Sequence, residues 1–258
     1  MIDLLLDKCL GISRVDAIAN GSATIGTQQG ALMRSCVDDL LRFRPIQHVV
    51  GHVDFCGCVI NVGPDVLIPR PETAEMVTMI AEAWDANPPS RVVDVCTGSG
   101  CVAVSLAKRF PQSRVSAMEL SPKALERASA NAVLNKVEVE FVAADVLEPT
   151  VAISRHKVDL IVSNPPYICE SERQFMQPNV LDYEPDMALF VPDDEPLLFY
   201  RAILQKSLPC LSDRGEVWFE MNETKRPEMS DLCVEMGFSA EFYSDINGKC
   251  RFCKAWLD

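Results

Sequence analysis

The stretch Asp159-Leu160-Ile161-Val162-Ser163-Asn164-Pro165-Pro166-Tyr167 runs an apolar segment into an amide, two rings that lack N–H groups, and a phenol. Read as a parallel strand, it ends at the carboxyl edge of a sheet, where ligands bind in open α/β folds. An Asn side-chain oxygen and the main-chain carbonyl of the following Pro can face one planar NH2 group and accept both its hydrogens. Pro165 and Pro166 restrict the backbone and leave those carbonyls without competing N–H neighbours. Tyr167 offers a flat face for a conjugated group. The set suits a planar amino or amide nitrogen held beside an electrophilic methyl. Such a nitrogen is a poor nucleophile, because its lone pair is delocalised, and no side chain here is an obvious strong base. Fixing the partners in line can lower the barrier by roughly 7–11 kcal/mol. Acceptors that strengthen as the nitrogen gains positive charge add to this. The chemistry expected is direct in-line methyl transfer.

A second motif lies upstream, in Asp94-Val95-Cys96-Thr97-Gly98-Ser99-Gly100-Cys101-Val102-Ala103. Gly98 and Gly100 permit backbone conformations closed to other residues and let a ligand approach the main chain. The segment also fits G-x-G-x-x-A, with the acidic Glu119 following about 20 residues on. The loop alone does not separate a nicotinamide cofactor from S-adenosylmethionine, but a nicotinamide-dependent oxidoreductase leaves the Asn-Pro-Pro-Tyr motif unexplained. Asp145 follows a third strand in FVAADVL. Glu119 is thus placed to accept from ribose hydroxyls and Asp145 from an adenine amino group.

These residues need a scaffold that brings strand ends together. Beyond Ser90, RVVDV, RVSAMEL, VEVEFVA, VDLIVS and EVWFEM read as buried strands, with helical stretches starting CVAVSLAKRF, PKALERASANAVLN and EPLLFYRAILQKSL between most of them. Ser121 as N-cap and Pro122 at the first helical position give the second helix a well-formed start. Alternation of this kind implies an α/β fold with a parallel sheet covered on both faces. SAEFYS and CRFCKAW are expected to add an antiparallel edge. Residues 1–44 read as a small helical unit, and residues 45–70, Val-rich with interspersed Gly, as a β-hairpin linker. Residues 71–258 then form the catalytic domain.

With 24 Lys+Arg against 37 Asp+Glu, the 258-residue chain carries a net charge of −13. No basic cluster offsets this locally, which disfavours the phosphate-dominated binding of nucleic acid. No run approaches the roughly 18 apolar residues of a membrane span. Asp3 and Asp7 stand where a secretory signal carries basic residues, so the expected location is the cytoplasm. The eleven cysteines are odd in number and scattered, as in a reduced compartment. Cys56 and Cys58 flank Gly57 in an expected strand, and Cys250 and Cys253 lie in the last one, where side chains at i and i+3 point to opposite faces, poor geometry for sharing a metal; buried apolar cysteines are the default. No metal is expected.

DVCTGSGCVAVSLA, NPPYI, VLIPRPET and PIQHVVG together resemble the release factor glutamine methyltransferases, over most of the chain and including LGISR and DINGKCR. NPPY alone is shared with adenine methyltransferases of DNA and RNA; IPRPET ahead of the glycine loop is far more specific. The resemblance implies a Rossmann-like class I S-adenosylmethionine-dependent methyltransferase, with a seven-stranded, mainly parallel sheet behind a small helical domain; the apolar faces, separation and small size of residues 1–44 suggest that this domain docks the substrate. The resemblance also implies methylation of the glutamine amide in the Gly-Gly-Gln loop of a peptide chain release factor; a monomer is expected. Asp94, Thr97, Gly98, Ser99, Gly100, Glu119, Asp145 and Asn164 would hold the cofactor. Asn164, Pro165, Pro166 and Tyr167, with Arg70, Pro71, Glu72 and Thr73 of the PRPET run, would hold the substrate. The chain departs from the family where Cys96 replaces a frequent Gly, His48 a Tyr, Glu119 an Asp and Ala74 a Glu. Relatives that methylate a glutamine of a ribosomal protein resemble the Cys96 variant, and an adenine methyltransferase would use the same NPPY site. A non-catalytic scaffold would bind the cofactor without turnover.

Overall fold

Every residue of Val158–Ser163 is buried, as a strand covered on both faces must be. The computed structural model, which describes residues 1–22 and 24–258, places this strand (β6) at the centre of a seven-stranded sheet. Its parallel neighbours are β3 (Arg91–Val95) and β9 (Leu211–Glu220). Outside β3 lie β4 (Arg114–Glu119) and then β5 (Glu140–Ala143). Beyond β9 lie β11 (Cys250–Trp256) and then β10 (Ser239–Ser244) at the edge. β11 runs antiparallel to both its neighbours, so the antiparallel strand sits one place in from the edge and β10 is parallel with the main set.

Successive side chains of a strand point to opposite faces, and two apolar layers follow. On one face Val92, Leu160, Val162 and Trp218 pack with residues of α5 (Pro71–Ala83), α6 (Cys101–Arg109) and α7 (Pro122–Asn135). On the other, Val93, Ile161, Val217 and Phe219 pack with α9 (Leu198–Ser207) and α10 (Arg226–Glu235). Ser121 caps α7 by accepting from the Ala124 N–H, as its sequence signal required.

Ahead of this layer are α1 (Ile2–Leu10), α2 (Arg14–Ala19), α3 (Thr27–Leu41) and α4 (Ile46–Val50), with a small core of Cys9, Cys36 and Val49. Ile46–Val50 is helical where the Val-rich pattern suggested strand, because Gly51 in the left-handed region ends a single turn begun at Pro45. The hairpin β1 (His52–Phe55) and β2 (Cys58–Asn61) follows. Cys56 and Gly57, at φ 47° and 75°, form its two-residue turn, the pairing that matches strand twist. The expectation of Cys56 and Cys58 within one strand is corrected accordingly: Cys56 is at the exposed turn and Cys58 is buried. Between β6 and α9 the chain makes an excursion with the two-residue strands β7 (Ile168–Cys169) and β8 (Phe190–Val191) and one turn of helix, α8 (Pro178–Leu181).

Candidate active site

The loop after β3 is shaped by three left-handed residues, Cys96 at φ 61°, Gly98 at 54° and Gly100 at 79°. It is pinned from below by Asp94, whose Oδ2 accepts from the Thr97 hydroxyl and from the Ala103 N–H at 3.1 Å. Burial pushes the Asp94 carboxyl up to about 7, against those two hydrogen bonds. A Cβ on Gly98 would meet nothing within 4 Å, so the loop presents bare backbone to open space. A Cβ on Gly100 would lie 2.9 Å from that of Ala128, so this glycine serves the close approach of α7.

Glu119 leaves the end of β4 with both oxygens engaged. Oε2 accepts from the Gly98 N–H at 2.9 Å, and Oε1 from the N–H groups of Leu120 and Ser121 at 2.8 and 2.9 Å. A carboxylate has about four acceptor positions, so Oε2 keeps one for an incoming hydroxyl. Asp145, beyond β5, accepts from the Leu147 N–H at 2.8 Å.

Asn164 is set by sheet register. Ser163 pairs with Phe219, so Asn164, as it leaves β6, comes beside Glu220, the last residue of β9. The Asn164 Nδ2 donates to Thr73 Oγ1 at 3.1 Å, and the Thr73 hydroxyl donates to Glu220 Oε2 at 2.6 Å. Glu220 Oε1 accepts from the Tyr167 hydroxyl at 3.1 Å. Burial raises the Tyr167 phenol and the Glu220 carboxyl above their ordinary values.

Asp94, Thr97, Gly98, Ser99, Glu119, Asp145, Asn164, Pro166 and Thr73 line one cavity, with about 1060 Å³ of empty space partly open to solvent. Gly100 is outside that lining. Arg70, Pro165 and Tyr167 line a smaller adjoining pocket of about 400 Å³, which shares Leu67, Asn164 and Ala188 with the first. Pro71 and Glu72, at the start of α5, line neither. Arg70 instead pairs with the buried Glu184, whose other oxygen accepts from the Ile68 N–H at 2.8 Å.

Several lining residues carried no signal of their own in the sequence. Met118, Leu120, Val146 and Phe199 form apolar walls, and Asp65, in a two-pronged ion pair with Arg127, stands at the rim. Glu220 was legible in principle, because it ends a strand at the same edge as Asn164. The cavity fits a nucleoside: apolar walls for a base, a free acceptor position on Glu119 for a hydroxyl, and a loop with no side chain at Gly98.

Residues 1–51 match the PrmC N-terminal domain and residues 75–180 the methyltransferase small domain. The chain superposes on ribosomal protein L11 methylase from Lactobacillus delbrueckii subsp. bulgaricus with a TM-score of 0.55, at 18% identity over 77% of this chain and 84% of that one. With the hMettl16 catalytic domain, solved in complex with MAT2A 3'UTR hairpin 1, the TM-score is 0.61, at 17% identity over 89% and 80% of the two chains. At such identities the likeness shows the fold alone. The release factor glutamine methyltransferase of Bacteroides thetaiotaomicron is 38% identical over 98% of this chain and 90% of its own length. That of Bacillus subtilis is 36% identical over 96% and 88%. Similarity of this degree along nearly the full length of both partners makes the chain a member of the release factor glutamine methyltransferase family of S-adenosylmethionine-dependent methyltransferases.

Proposed function

We propose that the chain methylates the side-chain amide nitrogen of the glutamine in the Gly-Gly-Gln loop of a peptide chain release factor. The observation that carries this is Asn164 standing on the wall common to the two pockets, its Nδ2 tied to Thr73. Its Oδ1, with the Pro165 carbonyl, then accepts the two hydrogens of the glutamine NH2, and the Tyr167 ring lies along the amide plane. S-adenosylmethionine, when bound, supplies the methyl group, whose former bond pair stays on sulfur. Glu119, Asp145 and the Thr97–Ser99 backbone hold the nucleoside half in the larger pocket, while the substrate enters through the smaller one past Arg70. As the nitrogen gains positive charge, both acceptors bind it more strongly, which lowers the barrier. Neither acceptor is basic enough to keep the proton the nitrogen sheds, so it passes to water.

In this reading the helices of residues 1–44 dock the body of the release factor, and the enzyme works as a monomer in the cytoplasm on protein rather than nucleic acid. The net charge of −13 supports the last point. The test is mass spectrometry of a release factor incubated with the enzyme and S-adenosylmethionine. One added methyl on the Gly-Gly-Gln glutamine is expected. Methylation appearing instead on a ribosomal protein or an adenine base, with none on the release factor, removes the proposal.

A further inference from the structure

Glu220 is 2% exposed and takes two hydroxyl donors, Thr73 from α5 and Tyr167 from the Asn-Pro-Pro-Tyr segment. A hydroxyl has one proton to give. The Thr73 proton is committed to Glu220 Oε2 at 2.6 Å, the length of a bond to a charged acceptor. Toward Asn164, therefore, Thr73 Oγ1 can only accept, and it does so from Nδ2 at 3.1 Å. This fixes which end of a nearly symmetric amide faces the cavity.

We propose that Glu220 and Thr73 are positioning residues for the transfer: the buried carboxylate sets the direction of the Thr73 hydroxyl, and that hydroxyl orients the Asn164 amide with Oδ1 toward the substrate nitrogen. The inference rests on the reading of Asn164 as the glutamine clamp. Reversing the chain of hydrogen bonds has a definite consequence. A proton on Glu220 Oε2 would point at Thr73, turn its hydroxyl toward Asn164, and present an NH2 group to the substrate NH2, two donors face to face.

The charged and titratable groups around Glu220 come from four elements. Glu72 on α5 raises its affinity for a proton and Arg251 on β11 lowers it, while Tyr167 donates to its side chain and Tyr200 on α9 donates to its main-chain oxygen at 3.1 Å. Burial is the largest influence, and it raises the carboxyl above an ordinary glutamic acid. Turnover should accordingly fall on the acid side as Glu220 takes up a proton.

The experiment compares Thr73→Val, Thr73→Ser and Glu220→Gln with the parent enzyme, using thermal melts, S-adenosylmethionine affinity by calorimetry, and kcat and KM across pH. Thr73→Val keeps the volume and removes the relay. Its kcat should fall on the order of a hundredfold, the scale of a misplaced reacting group, with cofactor affinity within about threefold (roughly 0.65 kcal/mol) and the acid limb lost. Thr73→Ser should recover most of the loss and keep that limb. Glu220→Gln, whose amide oxygen can accept from Thr73 but takes up no proton, should lose the acid limb; a Glu220→Gln enzyme that keeps it overturns the assignment of that limb to Glu220. A folded Thr73→Val enzyme with parental kcat and an unchanged acid limb overturns the proposal, as does Thr73→Ser losing as much as Thr73→Val. Failure of the underlying reading looks different: there Asn164→Ala itself keeps turnover, whereas an inactive Asn164→Ala beside an unaffected Thr73→Val sinks the relay alone.

Discussion

Cys96 holds a left-handed backbone at φ 61°, a conformation that costs a residue with a Cβ roughly 1–2 kcal/mol. Glycine at this position, frequent in the family by the sequence resemblance, relieves that cost and adds about 0.5–1 kcal/mol of chain entropy to lose. Because Cys96 also packs against the core, strain relief and lost packing should nearly cancel: Cys96→Gly should shift stability by no more than about 1 kcal/mol in denaturant melts and leave turnover near normal, since burial pushes the thiol well above its usual value and keeps it protonated. Asp94 makes a prediction in pH. With its carboxyl raised to about 7, the folded chain keeps a proton that the unfolded chain has already released. The stability this contributes is fully present below the unfolded value and is lost as pH rises through about 7. Asp94→Asn, neutral throughout, should flatten the decline in melting temperature between about pH 4 and 7; an undiminished slope there would clear Asp94 of causing it. Asn164→Ala should abolish transfer while S-adenosylmethionine affinity stays within about tenfold, roughly 1.4 kcal/mol, as read by calorimetry beside a methylation assay. Asn164, Glu119 and Asp145 were legible in the sequence because each terminates an apolar run, and strand ends meet along one edge. The Thr73–Glu220 bond was not, since it joins residues 147 positions apart and depends on the packing of α5 against the sheet.

Asn131 and Asn135 of α7 do for the hairpin what a neighbouring strand would. The Asn131 amide accepts from the Asn61 N–H at 2.8 Å and donates to the Asn61 carbonyl at 3.1 Å, and Asn135 treats Val59 the same way at 3.0 and 2.8 Å. One helical turn separates the two asparagines and one strand repeat separates their partners, so side-chain amides continue the ladder along the open edge of β2. Asn131, fully buried, also donates to the Ser99 carbonyl at 2.9 Å, which ties the hairpin to the glycine loop. Asn131→Ala leaves buried backbone groups unpaired, at about 1–3 kcal/mol for each. It should lower the melting temperature and weaken cofactor binding together, whereas Asn135→Ala, nearer solvent, should cost about 1 kcal/mol or less and spare the cofactor. Equal cofactor loss in both variants would count against the Ser99 link. The sequence supported a hairpin here through its Val and Gly content, yet gave no sign of this attachment, because asparagines within a helical pattern read as surface. The helical turn at Ile46–Val50 escaped for a related reason: β-branched residues suggest strand, and the fold of the flanking chain overrode them.

At the scale of the whole molecule, the candidate site for methyl transfer sits at one sheet edge, and the helices of residues 1–44 supply none of the cavity lining. They share a small core with α4, to which the Lys8 ammonium is tied at the Val50 carbonyl at 3.0 Å, and they meet the catalytic layer where the Tyr183 hydroxyl donates to the Arg42 carbonyl at 2.6 Å. Tyr183 precedes Glu184, which grips Ile68 and Arg70, so the end of α3 is connected to the rim of the smaller pocket. Leu41 and Phe43, at that end, are 73% and 63% exposed, and two apolar side chains offered to water on either side of Arg42, where Tyr183 docks, suit a protein surface. Contacts made there would contribute binding energy far from the reacting nitrogen and use it to place the glutamine. Leu41→Glu with Phe43→Glu should therefore lower kcat/KM for an intact release factor at least tenfold and leave a short Gly-Gly-Gln peptide, which cannot reach α3, methylated at the parental rate. Val234→Glu, at a position 74% exposed on α10, supplies the control for added charge and should change neither. Equal losses on both substrates would mean that the end of α3 orders the pocket through Tyr183 and Glu184, and no loss on either would place docking elsewhere on the molecule.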